Sequence, residues 1–196
     1  MADNNEQNIQ QNESVVMIAL TKKRGGKKVL APSMEGYESG YTIDGIYVSD
    51  GGESRIFALG DTVAGYGFAS EDLPADDENY GKVSPSIGGM DGEESTQCII
   101  DVYQLSSGAP VEAKKYGWLP SAGEFDLLLA NKDAFNALAE AAGGTKVETG
   151  RYWLSQRRNA LYPWFYDIDG NGCGSWLGGS TQLSVRPCMS AYGYEE

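Results

Sequence analysis

Tyr116-Gly-Trp-Leu-Pro-Ser-Ala-Gly-Glu-Phe125 is the stretch on which the reading of this chain turns. Ser121 and Glu124 stand at S-x-x-E spacing. In that arrangement the serine hydroxyl accepts from the glutamate amide, and the glutamate side chain reaches back to the serine amide. Pro120 holds Leu119 extended, so the backbone must turn sharply into a helix here. Phe125, Leu128 and Leu129 follow at helical spacing, which predicts a helix over 121–130 with one buried face. After Asn131-Lys-Asp133 a second helix carries Phe135, Leu138, Ala139 and Ala142, and Gly143-Gly144 ends it.

Working outward, the composition narrows the class. The 196 residues are enough for one domain, and 26 glycines with 12 tyrosines suit turns and aromatic strands better than a helical bundle. A net charge of -13 disfavours nucleic acid, whose binders need a basic footprint. The chain has no histidine, which removes the usual general base, the usual zinc ligand and every triad built on histidine. Cys98, Cys173 and Cys188 are too widely spaced for a zinc knuckle; Cys98 and Cys188 read as small buried residues, and a disulfide is not implied. The longest apolar run, Val15 to Leu20, is too short to span a bilayer. Acidic and amide residues precede it and Lys22-Lys-Arg24 follow, the reverse of a signal peptide, so no secretory signal or membrane insertion is expected.

Towards the N-terminus, residues 1–13 are rich in Asn, Gln and Glu and read as a disordered tail. Residues 14–40 read as a β-hairpin and attachment segment: Val15–Thr21, a basic turn with Gly25-Gly26, then Val29-Leu30. Tyr41–Ser49 and Arg55–Leu59 form a second hairpin about Asp50-Gly-Gly52. Residues 60–94 read as loop, and 95–105 as a short helix with Ile99, Val102 and Tyr103 on one side. Beyond Gly150, short strands at Tyr152-Trp153, Trp164–Tyr166 and Leu183–Val185 alternate with glycine-rich loops.

Gly117-Trp-Leu-Pro-Ser-Ala-Gly-Glu124, Gly143-Gly144, Arg151-Tyr-Trp153, Pro163-Trp164 and Val185-Arg-Pro187 occur in an order that resembles the C-type-lectin-like domain of the formylglycine-generating-enzyme type. Variable proteins of diversity-generating retroelements and phage receptor-binding proteins carry that domain. The likeness covers roughly 95–192, and the hairpin at 41–59 looks like its opening strands. It implies an α+β fold, two main helices on a twisted antiparallel sheet, with 41–192 as the ligand-binding domain. It also implies that Trp153, Trp164 and Arg186 are scaffold, and that the irregular C-terminal half binds ligand.

On that reading the diversified face comprises Leu154, Gln156, Arg157, Arg158, Ala160, Leu161, Tyr162, Tyr166, Asp169, Asn171, Cys173 and Leu177. Tyrosine and arginine provide large contact area at modest entropy cost. The expected partner is a host-cell surface protein or glycan, met by a phage tail or cell-surface module that is a homo-oligomer such as a trimer, since weak contacts gain from multivalency. Asp167-Ile-Asp-Gly-Asn-Gly172 matches the first half of a calcium loop, but Gly178 occupies the position of the expected bidentate acid; a tight glycine turn is the other reading. No catalytic residue, cofactor or metal is assigned. The alternatives are a formylglycine-type cysteine oxidase and a purely structural virion or surface protein.

Overall fold

A computed structural model describes residues 14–67, 89–158 and 162–195. The order of elements is β1 (Val15–Lys22), β2 (Lys28–Ala31), β3 (Tyr41–Asp50), β4 (Glu53–Phe57), β5 (Thr62–Ala64), α1 (Gly92–Tyr103), α2 (Ala109–Lys114), α3 (Ala122–Ala130), α4 (Lys132–Ala141), β6 (Arg151–Arg157), β7 (Pro163–Asp167), β8 (Gly172–Gly174), β9 (Leu183–Val185) and β10 (Cys188–Ser190). The fold is α+β, with two five-stranded sheets.

The first sheet runs β10-β4-β3-β1-β2, antiparallel throughout. Residues 15–31 form the hairpin expected there, and β1 also pairs with β3, from Val15–Ser49 to Lys22–Tyr41, within the same sheet. The register slips between Ala19 and Leu20, opposite Gly45 and Ile43, leaving Asp44 as the extra residue of a bulge. Gly45 fits there because a Cβ would lie 2.3 Å from the Phe57 carbonyl oxygen. The C-terminal end closes the sheet on both sides. β10 pairs with β4, and the Glu195 carbonyl accepts from Leu30 N–H at 2.7 Å on the β2 edge.

The second sheet runs β5-β9-β6-β7-β8, with one parallel pairing, Tyr152 to Ser184, between β6 and β9. Helix α3 starts as its residues dictate. Ser121 Oγ accepts from Glu124 N–H at 3.3 Å, and Glu124 Oε2 accepts from Ser121 N–H at 2.9 Å. In α4, Phe135 and Ala139 are buried, and the chain leaves the helix through Gly143 at φ +77°. Helix α1 spans 92–103 and so begins three residues before the sequence reading placed it.

The core explains the aromatic wealth. Phe125 and Phe135, on α3 and α4, lie among Ile18, Leu20, Ile46, Val48 and Phe57 of the first sheet and Tyr152, Leu154 and Tyr166 of the second. The opposite face of the second sheet holds Trp153, Phe165, Leu183 and Val185 with Tyr66 and, from α1, Ile99. The second sheet is thus buried on both faces, which is why its strands lack apolar–polar alternation.

Candidate functional site

That double burial corrects part of the sequence-based face. Leu154, Gln156, Arg157 and Tyr166 are interior residues. Leu154 and Tyr166 pack towards α3, where the Tyr166 and Phe125 rings are 5.3 Å apart. Gln156 Oε1 accepts from Ala122 N–H at 3.0 Å, satisfying a donor at the start of α3. The fully buried Arg157 hydrogen-bonds to Tyr103 through Nη1, and its guanidinium carbon lies 4.9 Å from that ring's centroid. Strand alternation is the physical reason: both sides of β6 meet protein, so no residue between Tyr152 and Arg157 reaches solvent.

The rim of the sheet retains the rest. Arg158, Asp169 and Asn171 are exposed, while Tyr162, Cys173 and Leu177 are half-buried. Ala160 and Leu161 lie outside the described residues. Arg158 Nη1 donates to Ser175 Oγ at 3.4 Å, and Arg158 N–H to the Tyr162 carbonyl at 3.0 Å, which ties the β6–β7 connection to the loop after β8. Trp153 is fully buried as expected, but Trp164 is only half-buried, packed at the margin of the core.

Trp176 is the residue that the sequence reading passed over. It is 62% exposed, yet its indole is fixed edge-on to Phe165, with centroids 4.9 Å apart at 82°. Gly174 makes this possible, because a Cβ there would meet both the Phe165 and the Trp176 rings at 2.5 Å. The signal was present as a tryptophan in the glycine-flanked loop Gly174-Ser-Trp-Leu-Gly-Gly179. The guanidinium of Arg151 reaches the same phenyl ring, 5.6 Å from its centroid.

Two open grooves lie on the surface, one of them lined in part by Arg151. One, of about 560 Å³, is lined by Val63–Gly65, Gly67, Ser107, Gly108, Glu112, Gly179, Ser180 and Gln182. The other, of about 590 Å³, lies between Val63, Gln182–Ser184 and the turn carrying Arg151, Asp167 and Asp169. Val63, 67% exposed on edge strand β5, and Gln182 border both. Gly67 and Gly108 allow the loop after β5 to touch the start of α2, since a Cβ on Gly108 would lie 2.5 Å from Gly67 Cα.

The acidic turn at 167–172 is committed to structure. Asp167 Oδ2 accepts from Arg151 Nε at 2.8 Å and Oδ1 from Gly170 N–H at 3.0 Å; Asp169 Oδ2 accepts from Gly150 N–H at 3.0 Å. The Arg151 bond, and after it the Gly170 amide, hold the Asp167 carboxyl below its ordinary range. Among the described residues no group of three or more Cys, Asp or Glu is placed to hold a metal ion.

Two interior charges, Glu124 and Arg186, are likewise paired. Glu124, fully buried, accepts from Arg55 Nε at 2.6 Å and from Trp118 Nε1 at 3.2 Å as well as capping α3. Arg186, also buried, pairs with Asp61 and donates to Ala58 O at 2.7 Å and Thr145 Oγ1 at 2.8 Å. All three cysteines are free thiols. Burial, followed by the Asp126 charge, pushes Cys173 up to about 11. Burial, followed by Glu124, raises Cys188 as well.

No protein-family model matches the chain, and no curated protein matches it. Among solved structures, the crystal structure of a fimbrial protein from Bacteroides ovatus is similar, with a TM-score of 0.52 at 11% identity over 67% of this chain and 34% of that one. The chain thus spans about a third of that protein's length, and at this identity the likeness is one of fold alone. Among the described residues no helix is long and apolar enough to cross a membrane.

Proposed function

We propose that this chain is a non-enzymatic binding module of lectin-like layout, acting in reception or adhesion at a virion or cell surface. The observation that carries the reading is Trp176: a large aromatic held against Phe165 and Gly174, yet open to solvent, next in sequence to Ser175, to which Arg158 donates. Tryptophan and arginine are the side chains that dominate binding hot spots, and a ring already fixed loses little entropy on contact. The fold likeness to a fimbrial protein fits exposure at a surface. If the face is diversified as the family resemblance implies, variation belongs to the rim, at Arg158, Tyr162, Asp169, Asn171, Cys173 and Leu177. Variation at Leu154, Gln156, Arg157 or Tyr166 would disturb folding. A homo-oligomer belongs to the same proposal and is checked by light scattering.

A cysteine oxidase is disfavoured on chemical grounds. Reactive thiols are those moved down in pKa, and both Cys173 and Cys188 are moved up. The test is flow cytometry of the labelled full chain on a panel of intact bacterial cells. Binding to at least one strain is expected, weakened about tenfold, or about 1.4 kcal/mol, by W176A and by R158A. Absence of binding, together with oxygen-dependent turnover of a cysteine peptide, would overturn the reading.

A further inference from the structure

We infer that this face takes a neutral oligosaccharide, one unit stacked on Trp176 and the rest reaching past Arg151 into the open grooves at Gln182 and Val63. The inference rests on the binding-module reading above and names its ligand class. The register of β6 on β7 sets Arg151 opposite Asp167 and Trp153 opposite Phe165, so these four residues project from one face of the second sheet. The Trp176 indole and the Arg151 guanidinium both lie against the buried Phe165 ring, at 4.9 Å and 5.6 Å from its centroid. Arg151 lines the second groove, which shares Val63 and Gln182 with the first. Each is within the size range of small-ligand sites, and each is open, which suits a chain that enters sideways and extends beyond the protein.

The chemistry of these residues suits sugars. A pyranose has one face of C–H groups, which packs on an exposed indole, and a rim of hydroxyls, which need planar donors and acceptors. Trp176 supplies the first. Arg151 has N–H groups beyond the Nε–H used on Asp167, and with Gln182, Ser180, Ser184 and Asp169 supplies the second. Charge decides which sugars. Asp167, Asp169 and Glu112 line the grooves of a chain of net charge -13, which repels sulfated, sialylated or uronic-acid glycans. A protein ligand is disfavoured because the exposed large apolar residues, among those described, are only Val63, Trp176 and Tyr192, too few for the desolvated centre of a protein interface.

The test is calorimetric titration of the full chain with linear gluco-, manno- and galacto-oligosaccharides of three to six units, beside sulfated and uronic-acid analogues, with the cell assay run in parallel. At least one neutral probe should bind, and should compete with cell binding. W176A should weaken that affinity at least about tenfold, W176F by no more than about threefold, and Q182A by about fivefold, each with an unchanged melting temperature. Preference for the charged analogues, or a W176A variant with wild-type affinity, overturns the inference. Cell binding that persists while no neutral probe binds or competes also overturns it and leaves the binding-module reading standing. A chain that binds neither cells nor glycans sinks both.

Discussion

Replacing Glu124 by alanine should cost far more than the loss of a helix cap. An exposed capping residue contributes about 1 kcal/mol. Glu124 is fully buried, and its carboxylate receives Arg55 Nε at 2.6 Å, Trp118 Nε1 at 3.2 Å and Ser121 N–H at 2.9 Å. Its removal strands three donors at once. Each buried unsatisfied donor costs about 1–3 kcal/mol, and a broken buried ion pair about 3–5 kcal/mol in all, so these costs overlap rather than sum. Glu124→Ala should therefore lower unfolding free energy by about 3–5 kcal/mol, a large fraction of the 5–15 kcal/mol typical of a domain. Glu124→Gln keeps one acceptor oxygen and should fall between the two. Urea denaturation with a two-state fit measures both. A cycle with Arg55→Met should return a coupling above about 1.5 kcal/mol, since the two side chains share one bond. A loss below about 1 kcal/mol for Glu124→Ala, or a coupling near zero, would refute the reasoning and reduce the residue to a cap.

Neighbouring arginines should separate cleanly in thermal melts: Arg157→Ala should cost about 2–4 kcal/mol because Arg157 is buried against Tyr103, whereas the exposed Arg158→Ala should stay within about 0.5 kcal/mol. Gly174→Ala should displace the Trp176 indole, costing about 1–3 kcal/mol and shifting tryptophan emission to the red; an unchanged spectrum would mean that the ring is not held there. Asp167 should contribute to acid sensitivity. Its folded pKa is depressed, so between that value and the ordinary carboxylate range the unfolded chain binds more protons, and stability falls as pH falls through that window. Denaturation midpoints from pH 5 to pH 2 should decline less steeply in Asp167→Asn than in the wild type.

Several elements were legible because their causes are local. The S-x-x-E pair at 121 and 124 needs only one turn of chain to close its two hydrogen bonds, and it closes them. The hairpin about Asp50-Gly-Gly52 and the helix end at Gly143 depend on backbone freedom at single residues, with φ values of +59° and +90° at Gly51 and Gly52. Trp153 as scaffold and an α+β layout came from the order of short motifs in the family resemblance, and the structure has Trp153 buried and the fold α+β.

What only the tertiary structure decided is which side of each strand remains open. Arg157 and Arg158 are indistinguishable by type, yet one lies under α1 against Tyr103 and the other reaches the rim. Leu154, Gln156 and Tyr166 belong to the face that the resemblance implies is diversified, yet α3 packs over them, its Ala122 N–H bonding Gln156 from 34 residues away in sequence. The partners Arg55 for Glu124 and Asp61 for Arg186 come from segments farther away still. Trp176 owes its rigidity to Phe165, across a strand pairing, and to a missing Cβ at Gly174. Sequence determines local geometry because torsions and near-neighbour hydrogen bonds act over a few residues. Burial and exposure depend on which distant surfaces meet, and no spacing along the chain encodes that.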